Sequence, residues 1–436
     1  MSNFVVNTTA TQQQMLQEIN SSWEKLFAAV PDQLRSSALD LESGQSELAV
    51  RRQFAEWANA NTVYTKCFLG AGSYRHYIPS VVNALAGRQE FLTAYTPYQP
   101  EISQGILQAI FEYQSMICEL TGLDASNASV YDGATACAEA INMCRSKGKQ
   151  RMLVAETLNP QYKAVIKTYF QFSDIEIVEI PMREGRIAAK DMQGLLDEET
   201  MGVLLQSPNY YGVFENCSEL RELIKAHSLP FVLCANPLSF AVSANAKELG
   251  ADICVGEAQP LGLDLAFGGP YLGYMACSNE YLRRLPGRIV GRTTDSNNNR
   301  AYVLTLQARE QHIRRERATS SICSNQANCA LRCAIYLAAV GPKGLREVAW
   351  QSYQKAHFLA DKLQELPGFS LRYNQPFFNE FAISNSTSSD TIIKKLRANN
   401  ILPGLKLSDS EMLWCATECN SEDEILEVVS LIKEVI

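Results

Sequence analysis

Residues 128–144 read ASVYDGATACAEAINMC, and the parsing of this stretch decides the architecture. Residues 128–131 are a short apolar run of strand character. Asp132-Gly133-Ala134-Thr135 interrupts it, and 136–144 are small and apolar, as in a buried helix. A strand that turns through small residues straight into a helix is half of a βα unit. Small side chains at a helix head let backbone N–H groups approach an anion, and Thr135 adds a hydroxyl. The same residues also describe a tight turn with an N-cap. Spacing alone leaves Gly133, Ala134 and Thr135 as either a phosphate cradle or a plain turn.

The pattern repeats outward from there. Apolar runs recur at 152–155, 175–180, 202–206, 230–235, 252–255 and 271–276, with amphipathic segments between successive runs from 128–131 to 230–235. Continuous apolar strands alternating with helices predict an α/β, doubly wound, mostly parallel sheet covered on both faces. Ligands in such sheets collect at the carboxyl ends of the strands. Helical patterns at 326–340 and 344–366 stop at Gly341-Pro342 and Pro367-Gly368. Strand-like runs at 369–373, 378–383 and 412–415 follow, with helices at 390–398 and 422–436. The expected division is a helical and loop-rich segment 1–110, a large α/β domain 111–325 and a smaller α+β domain 326–436.

Composition narrows the function. The 436 residues are 46% hydrophobic and 20% charged, with a net charge of −8. That is a globular chain, not one built around non-specific nucleic-acid binding. No stretch reaches the roughly 18–20 apolar residues of a membrane span. The apolar run 329–340 is short and contains Arg332. Residues 1–20 are Gln- and Thr-rich without a basic segment before an apolar block, so a cytoplasmic protein with free thiols is expected. The 13 cysteines include no Cys-x-x-Cys, and Cys329/Cys333 and Cys415/Cys419 read as core residues. With only His76, His227, His312 and His357, widely scattered, no metal site is expected. Walker, Gly-x-Gly-x-x-Gly, His-Glu-x-x-His and Gly-x-Ser-x-Gly motifs are absent. The Ser-x-x-Lys matches at 22–25 and 352–355 lack companion motifs.

The strand–Gly-Ala-Thr–helix unit and the two-domain pattern resemble fold-type-I enzymes dependent on pyridoxal phosphate (PLP). Longer segments carry a narrower resemblance: 68–79, 94–105 with 106–122 behind it, 132–140, 206–213, 250–273 and 286–326. The last reads PGRIVGRTTDSNNNRAYVLTLQAREQHIRRERATSSICSNQ. With these the chain is similar to the P-protein family of the glycine cleavage system, and within it to the alpha-type (subunit 1) chains of split enzymes. The resemblance implies an enzyme active only in complex with a beta subunit, whose lysine holds PLP covalently. The pair would decarboxylate glycine and pass the aminomethyl group to the lipoyl group of H-protein, a co-substrate. It implies no nucleic-acid or membrane partner.

The lysines bear on this independently. PLP catalysis needs a lysine for the Schiff base, yet residues 248–342 contain none. Aligned to the beta-type pattern of the resembling family through Gly268-Gly269-Pro270, Gln259 falls at that position, and an amide forms no imine. The acid that pairs with the pyridinium nitrogen is also missing from the run ending at Asn236. A stand-alone PLP enzyme is disfavoured on chemical grounds, and Gly133–Ala134–Thr135 then reads as a vestigial cradle.

What the chain offers is two Gly- and Tyr-rich loops. Tyr95, Thr96, Tyr98, Gln99 and Glu101, with Ser73 and Tyr74 beside Gly70 and Gly72, are the candidates to line a composite site at a subunit interface. The plainer reading is that these aromatics fill the interface. Thr319 and Ser320 are candidates to meet the cofactor phosphate across it. An arginine-rich, lysine-free window, from Arg283 to Arg317 and including Arg309, reads first as ion pairing at that interface. Arg288 and Arg292 are the exceptions expected to recognise an oxyanion. His312 reads as structural. The rival to a catalytic half is a scaffold that stabilises a PLP-enzyme partner without lining its site.

Overall fold

The computed structural model describes residues 6–36, 41–307, 310–322 and 324–436. The chain divides into two compact units, Met1–Thr62 and Val63–Ile436. The first carries helices Thr9–Glu18 and Glu47–Asn59, neither of which buries a residue.

The second unit is built on a sheet whose strands are β1 (Ala125–Ser126), β2 (Arg151–Ala155), β3 (Glu176–Ile180), β4 (Thr200–Gln206), β5 (Phe231–Cys234), β6 (Ile253–Glu257) and β7 (Gly273–Cys277). Their order is β1-β7-β6-β5-β4-β2-β3. The pairings β3-β2-β4-β5-β6 are parallel, and β7 runs antiparallel to both β6 and β1. Successive strand residues enter opposite cores, because side chains alternate across a sheet. Leu153, Val203, Leu205, Phe231 and Leu233 join the core that holds Tyr113 and Tyr336. Met152, Val154, Leu204, Val232 and Cys234 join the other, against Ile141 and Met143. Burial on both faces is why these strands read as unbroken apolar runs. The expected doubly wound α/β fold is present.

The deciding stretch differs in detail. Residues 128–131 are not a ladder strand; Val130 alone bridges Gly273, donating its N–H at 2.9 Å. Ser129 has φ 121°, outside extended backbone, while its N–H donates to the Asn127 Oδ1 at 3.2 Å. The pairing therefore falls two residues earlier, in β1. Helix α1 is Gln104–Thr121, and α2 is Gly133–Met143, starting three residues before the expected helix. Asp132 causes this by accepting the Thr135 N–H at 2.7 Å, a side-chain cap that pulls Gly133, Ala134 and Thr135 into the first turn.

The two long helices expected after 326 form one element, α3 (Ala327–Gln364), broken without a loop at Gly341 (φ 61°, ψ 179°) ahead of Pro342. Proline suits the restart because its missing N–H needs no partner in a first turn. A hairpin that the sequence reading missed, β8 (Ile289–Thr294) and β9 (Arg300–Thr305), precedes it. Its turn signal is Asp295, whose Oδ1 accepts the N–H of Asn297 and Asn299, both at 2.8 Å.

The C-terminal sheet pairs β10 (Phe369–Leu371), β11 (Glu380–Asn385), β12 (Leu405–Ser408) and β13 (Glu411–Cys415) in the order β10-β11-β13-β12. Helices α4 (Ser389–Ala398) and α5 (Glu422–Lys433) cover it, α5 opening with a Ser421/Glu424 capping box. Trp414 is fully buried there, with the Phe68 ring edge-on at 6.4 Å. Among the described residues all twelve cysteines are free, and no group of three or more His, Cys, Asp or Glu is placed to hold a metal. No helix among them is long and apolar enough to cross a membrane.

Candidate functional site

The carboxyl ends of β5 and β6 and the head of α2 meet where a doubly wound sheet binds ligands. A carboxylate of the chain itself lies there. Glu257, the last residue of β6, accepts the N–H of Gly133 at 3.1 Å, of Gln259 at 3.0 Å and of Leu272 at 2.8 Å. Burial pushes its carboxyl up to about 7, against the pull of those donors. A Cβ on Gly133 would stand 2.5 Å from the Tyr162 hydroxyl, so the helix head is closed from a second side.

Two residues on, Gln259 is fully buried. Its Oε1 accepts the Tyr74 N–H at 2.8 Å, and its Nε2 donates to the carbonyls of Tyr74 and Leu263, each at 2.8 Å. The side chain therefore holds the 68–79 loop by both the N–H and the carbonyl of one residue. Past β5, the Asn236 Oδ1 accepts the Leu238 N–H at 3.1 Å, and its Nδ2 is buried without a partner.

The 68–79 loop is also tied to residues more than 300 positions away. The Ala71 N–H (2.5 Å) and the Tyr74 hydroxyl (3.0 Å) donate to the buried Glu380 carboxylate. A Cβ at Gly70 would collide with Glu380 Oε1, so only glycine lets the chain pass. Glu418 takes the Tyr77 N–H at 2.6 Å and pairs with His76 Nδ1 at 2.8 Å. Burial raises the Glu418 carboxyl, but His76 and the Tyr77 N–H outweigh it and hold the group below its ordinary range. The Ser73 hydroxyl shares a 2.6 Å hydrogen bond with Tyr271. Ser73 and Tyr74 are thus both engaged inside the chain.

Glu380 yields a pH prediction. Burial pushes its carboxyl up to about 7 from 4.5, so between those values the folded chain holds the proton more tightly than the unfolded one. Its contribution is full below about pH 4.5 and is lost as pH rises through 7, on the order of 3 kcal/mol. Glu380→Gln keeps an acceptor for Ala71 and a donor for the Tyr74 oxygen without titrating. The stability of the native chain relative to Glu380→Gln should fall over this window in urea titrations at stepped pH; parallel curves would refute it.

The second loop is open. Tyr95, Thr96, Tyr98 and Gln99 line a cleft of about 490 Å³ with Glu90, Ser103 and Ile106. Tyr95 is 85% exposed and Tyr98 53%. Glu101 is exposed in the short turn Pro100–Ile102 and is not part of that lining. An apolar hollow of about 270 Å³ adjoins it, sharing Ala94, Tyr95 and Ile106. Tyr98 is braced by Arg288, which is buried, whereas Arg292 is exposed.

Thr319 and Ser320 line a separate small hollow with Arg283, Arg284, Gly287 and Glu310. The Ser320 Oγ accepts the Ile322 N–H at 3.1 Å. Burial pushes the Glu139 carboxyl up to about 7, against the opposing influence of the Ser320 hydroxyl. Arg284 donates to the Met143 and Arg145 carbonyls at 3.0 and 3.2 Å. His312 is half-exposed beside Glu310. Arg309 lies outside the described residues.

The sequence reading missed Glu257, Glu380 and Glu418. Only Glu257 carried a signal, as an acid at the end of an apolar run.

Residues 2–432 match the family model of the glycine cleavage system P-protein. The chain belongs to the glycine cleavage system P-protein family. A Desulfitobacterium hafniense relative named probable glycine dehydrogenase (decarboxylating) subunit 1 is 46% identical over 445 residues, covering 99% of this chain and 100% of its own. A Moorella thermoacetica protein of the same name is 47% identical over 443 residues, 99% of each chain. The crystal structure of a glycine decarboxylase (P-protein) of the glycine cleavage system, in inhibitor-bound form, matches with TM-score 0.94 and 40% identity over the whole of both chains. Lactobacillus brevis glutamate decarboxylase shares the fold alone, with TM-score 0.69 and 12% identity over 94% of this chain and 97% of its own.

The fold of this P-protein chain is thus that of fold-type-I PLP enzymes, but its residues do not fit the cofactor. The N–H of Gly133 is taken by Glu257 and is not available to a phosphate. Gln259 offers no amine, and its amide is fully engaged. Asn236 supplies no acid.

Proposed function

We propose that this chain is the alpha half, subunit 1, of a split glycine dehydrogenase (decarboxylating). Its partner is a beta chain bearing PLP on a lysine. Together they decarboxylate glycine and transfer the aminomethyl group to the lipoyl group of H-protein, in the cytoplasm. The observation that carries this reading is the closed cradle: a chain that matches the P-protein family over residues 2–432, with Glu257 and Gln259 filling the place where a cofactor would sit. Bound in the partner, the cofactor supplies an electron sink. This chain's share is the exposed 95–101 loop, with Tyr95, Thr96, Tyr98, Gln99 and Glu101 bounding the composite site. Ser73 and Tyr74 contribute by fixing the neighbouring loop.

A scaffold without site residues is the second reading, and the internal engagement of Ser73 and Tyr74 favours it. Tyr98→Phe and Gln99→Ala in the assembled complex separate the two. Unchanged glycine turnover with assembly intact selects the scaffold.

The primary test is spectroscopic. The purified chain with added PLP should show no absorbance band of lysine-bound cofactor. Mixing with the beta chain should produce the band together with glycine-dependent CO2 exchange. A band on this chain alone, trapped by borohydride on one of its lysines, overturns the proposal.

A further inference from the structure

Arg288 is a buried cation that the proposal above does not yet use. It is 7% exposed, and its carbonyl accepts the Ala128 N–H at 2.8 Å, which fixes its backbone against the main sheet's first turn. Its Nη2 donates to the Tyr98 hydroxyl at 2.9 Å, and its Cζ lies 5.2 Å from the Tyr98 ring centroid. Its Nε is buried with no hydrogen-bond partner. Among the described residues no carboxylate pairs with it, in contrast to Arg151, Arg183 and Arg372, which each face an acid. A guanidinium taken out of water without a counter-charge is strongly unfavourable, and buried charges are paired as a rule. A phenol hydroxyl and ring face offset only part of that cost. The rest requires an anion from outside the chain.

The location says where that anion arrives. Tyr98, the only side chain that Arg288 is seen to hold, is a wall of the 490 Å³ cleft bounded by the 95–101 loop. A planar guanidinium whose Nε has no partner suits an oxyanion ligand such as a carboxylate or one face of a phosphate.

We propose that Arg288 and Tyr98 form an oxyanion-binding element that is completed when the second P-protein chain docks. The guanidinium takes a carboxylate or phosphate group at the composite site, and the Tyr98 hydroxyl holds its orientation. This rests on the split-enzyme reading. Two sources carry that chemistry there, the glycine carboxylate and the cofactor phosphate, and the experiment distinguishes them.

The test uses the assembled complex of this chain with its beta chain, comparing the native form with Arg288→Gln, Arg288→Lys and Tyr98→Phe. Three quantities are read: the KM for glycine against kcat, the PLP dissociation constant from absorbance titration of cofactor-free complex, and the dissociation constant of the two chains. Removing one member of a buried charge pair weakens binding by about 30-fold or more. Arg288→Gln should therefore raise either the glycine KM or the PLP dissociation constant by that factor. Arg288→Lys should recover part of the loss, since it keeps the charge but not the fork. Tyr98→Phe should move the same constant by about fivefold, the scale of one neutral hydrogen bond. A rise in glycine KM assigns the substrate carboxylate, and a rise in the PLP constant assigns the phosphate. If Arg288→Gln does not assemble, the other two variants carry the same comparison. Both constants unchanged in an intact complex overturn the proposal. So does weakened chain association with both constants unchanged, which would make the counter-charge an acid of the partner. A native complex without glycine turnover fails the split-enzyme reading itself, before any variant is compared.

Discussion

Gln259→Leu should destabilise the chain by about 3 kcal/mol and abolish most glycine turnover in the complex. Leucine fills the same volume but strands the Tyr74 N–H and the carbonyls of Tyr74 and Leu263 in a fully buried place. Each stranded group costs roughly 1–3 kcal/mol, partly offset by the apolar burial leucine adds. The activity loss follows from position, because this amide anchors the middle of the 68–79 loop. Gln259→Lys is no repair. It can donate to both carbonyls, but the Tyr74 N–H loses its acceptor and Glu257 still occupies the Gly133 N–H. No lysine-bound cofactor band should appear in that variant alone. Urea unfolding and the absorbance spectrum check both statements; a loss below about 1 kcal/mol for Gln259→Leu would mean the loop is held mainly by Glu380 and Glu418.

Glu257→Gln should cost about 2 kcal/mol despite being nearly isosteric. Three N–H groups converge on two carboxylate oxygens. An amide has one oxygen, so its NH2 must face at least one of those donors, and that N–H is left buried and unpaired. The expected loser is Gly133, whose single contact is to Oε2. Its amide should then gain access to solvent exchange while those of Gln259 and Leu272 stay protected. Hydrogen exchange on the variant reads this directly, and uniform protection at Gly133 would contradict the account. The contrast with Glu380→Gln is instructive: one N–H and one rotatable hydroxyl meet Glu380, and an amide satisfies both.

The sheet was legible because burial on both faces writes unbroken apolar runs, as in residues 200–206. The placement of β1 was not, because a backbone reversal at Ser129 carries no side-chain signature beyond the Asn127 that supports it. The hairpin at 289–305 was overlooked because its strands are half solvent-facing and Arg- and Thr-rich, although the Asp-Ser-Asn-Asn-Asn turn between them was readable. At the candidate site, the absence of a lysine at 248–342 pointed to a vacated chemistry. What fills the vacancy was hidden, since Glu257 reaches Gly133 across 124 positions. Glu380 and Glu418 lie still farther from the loop they fix, and neither stands in a motif. The exposed loop at 95–101 was found by composition alone, while the burial of Arg288 against the exposure of Arg292 needed the fold.

The seams of the 68–79 loop also order events during synthesis. Its partners Glu380 and Glu418 lie 309 and 342 residues downstream, so a growing chain emits this segment long before anything exists to hold it. Contacts of such sequence separation form late, after loop closure over most of the polypeptide. At about 5–20 residues per second, the segment waits tens of seconds on a translating ribosome. During that interval its glycines and aromatics stand open to chaperones and to a neighbouring chain. Until Glu380 and Glu418 emerge, the carboxylates that hold the 68–79 loop are missing, so the loop is fixed only after most of the chain has been made.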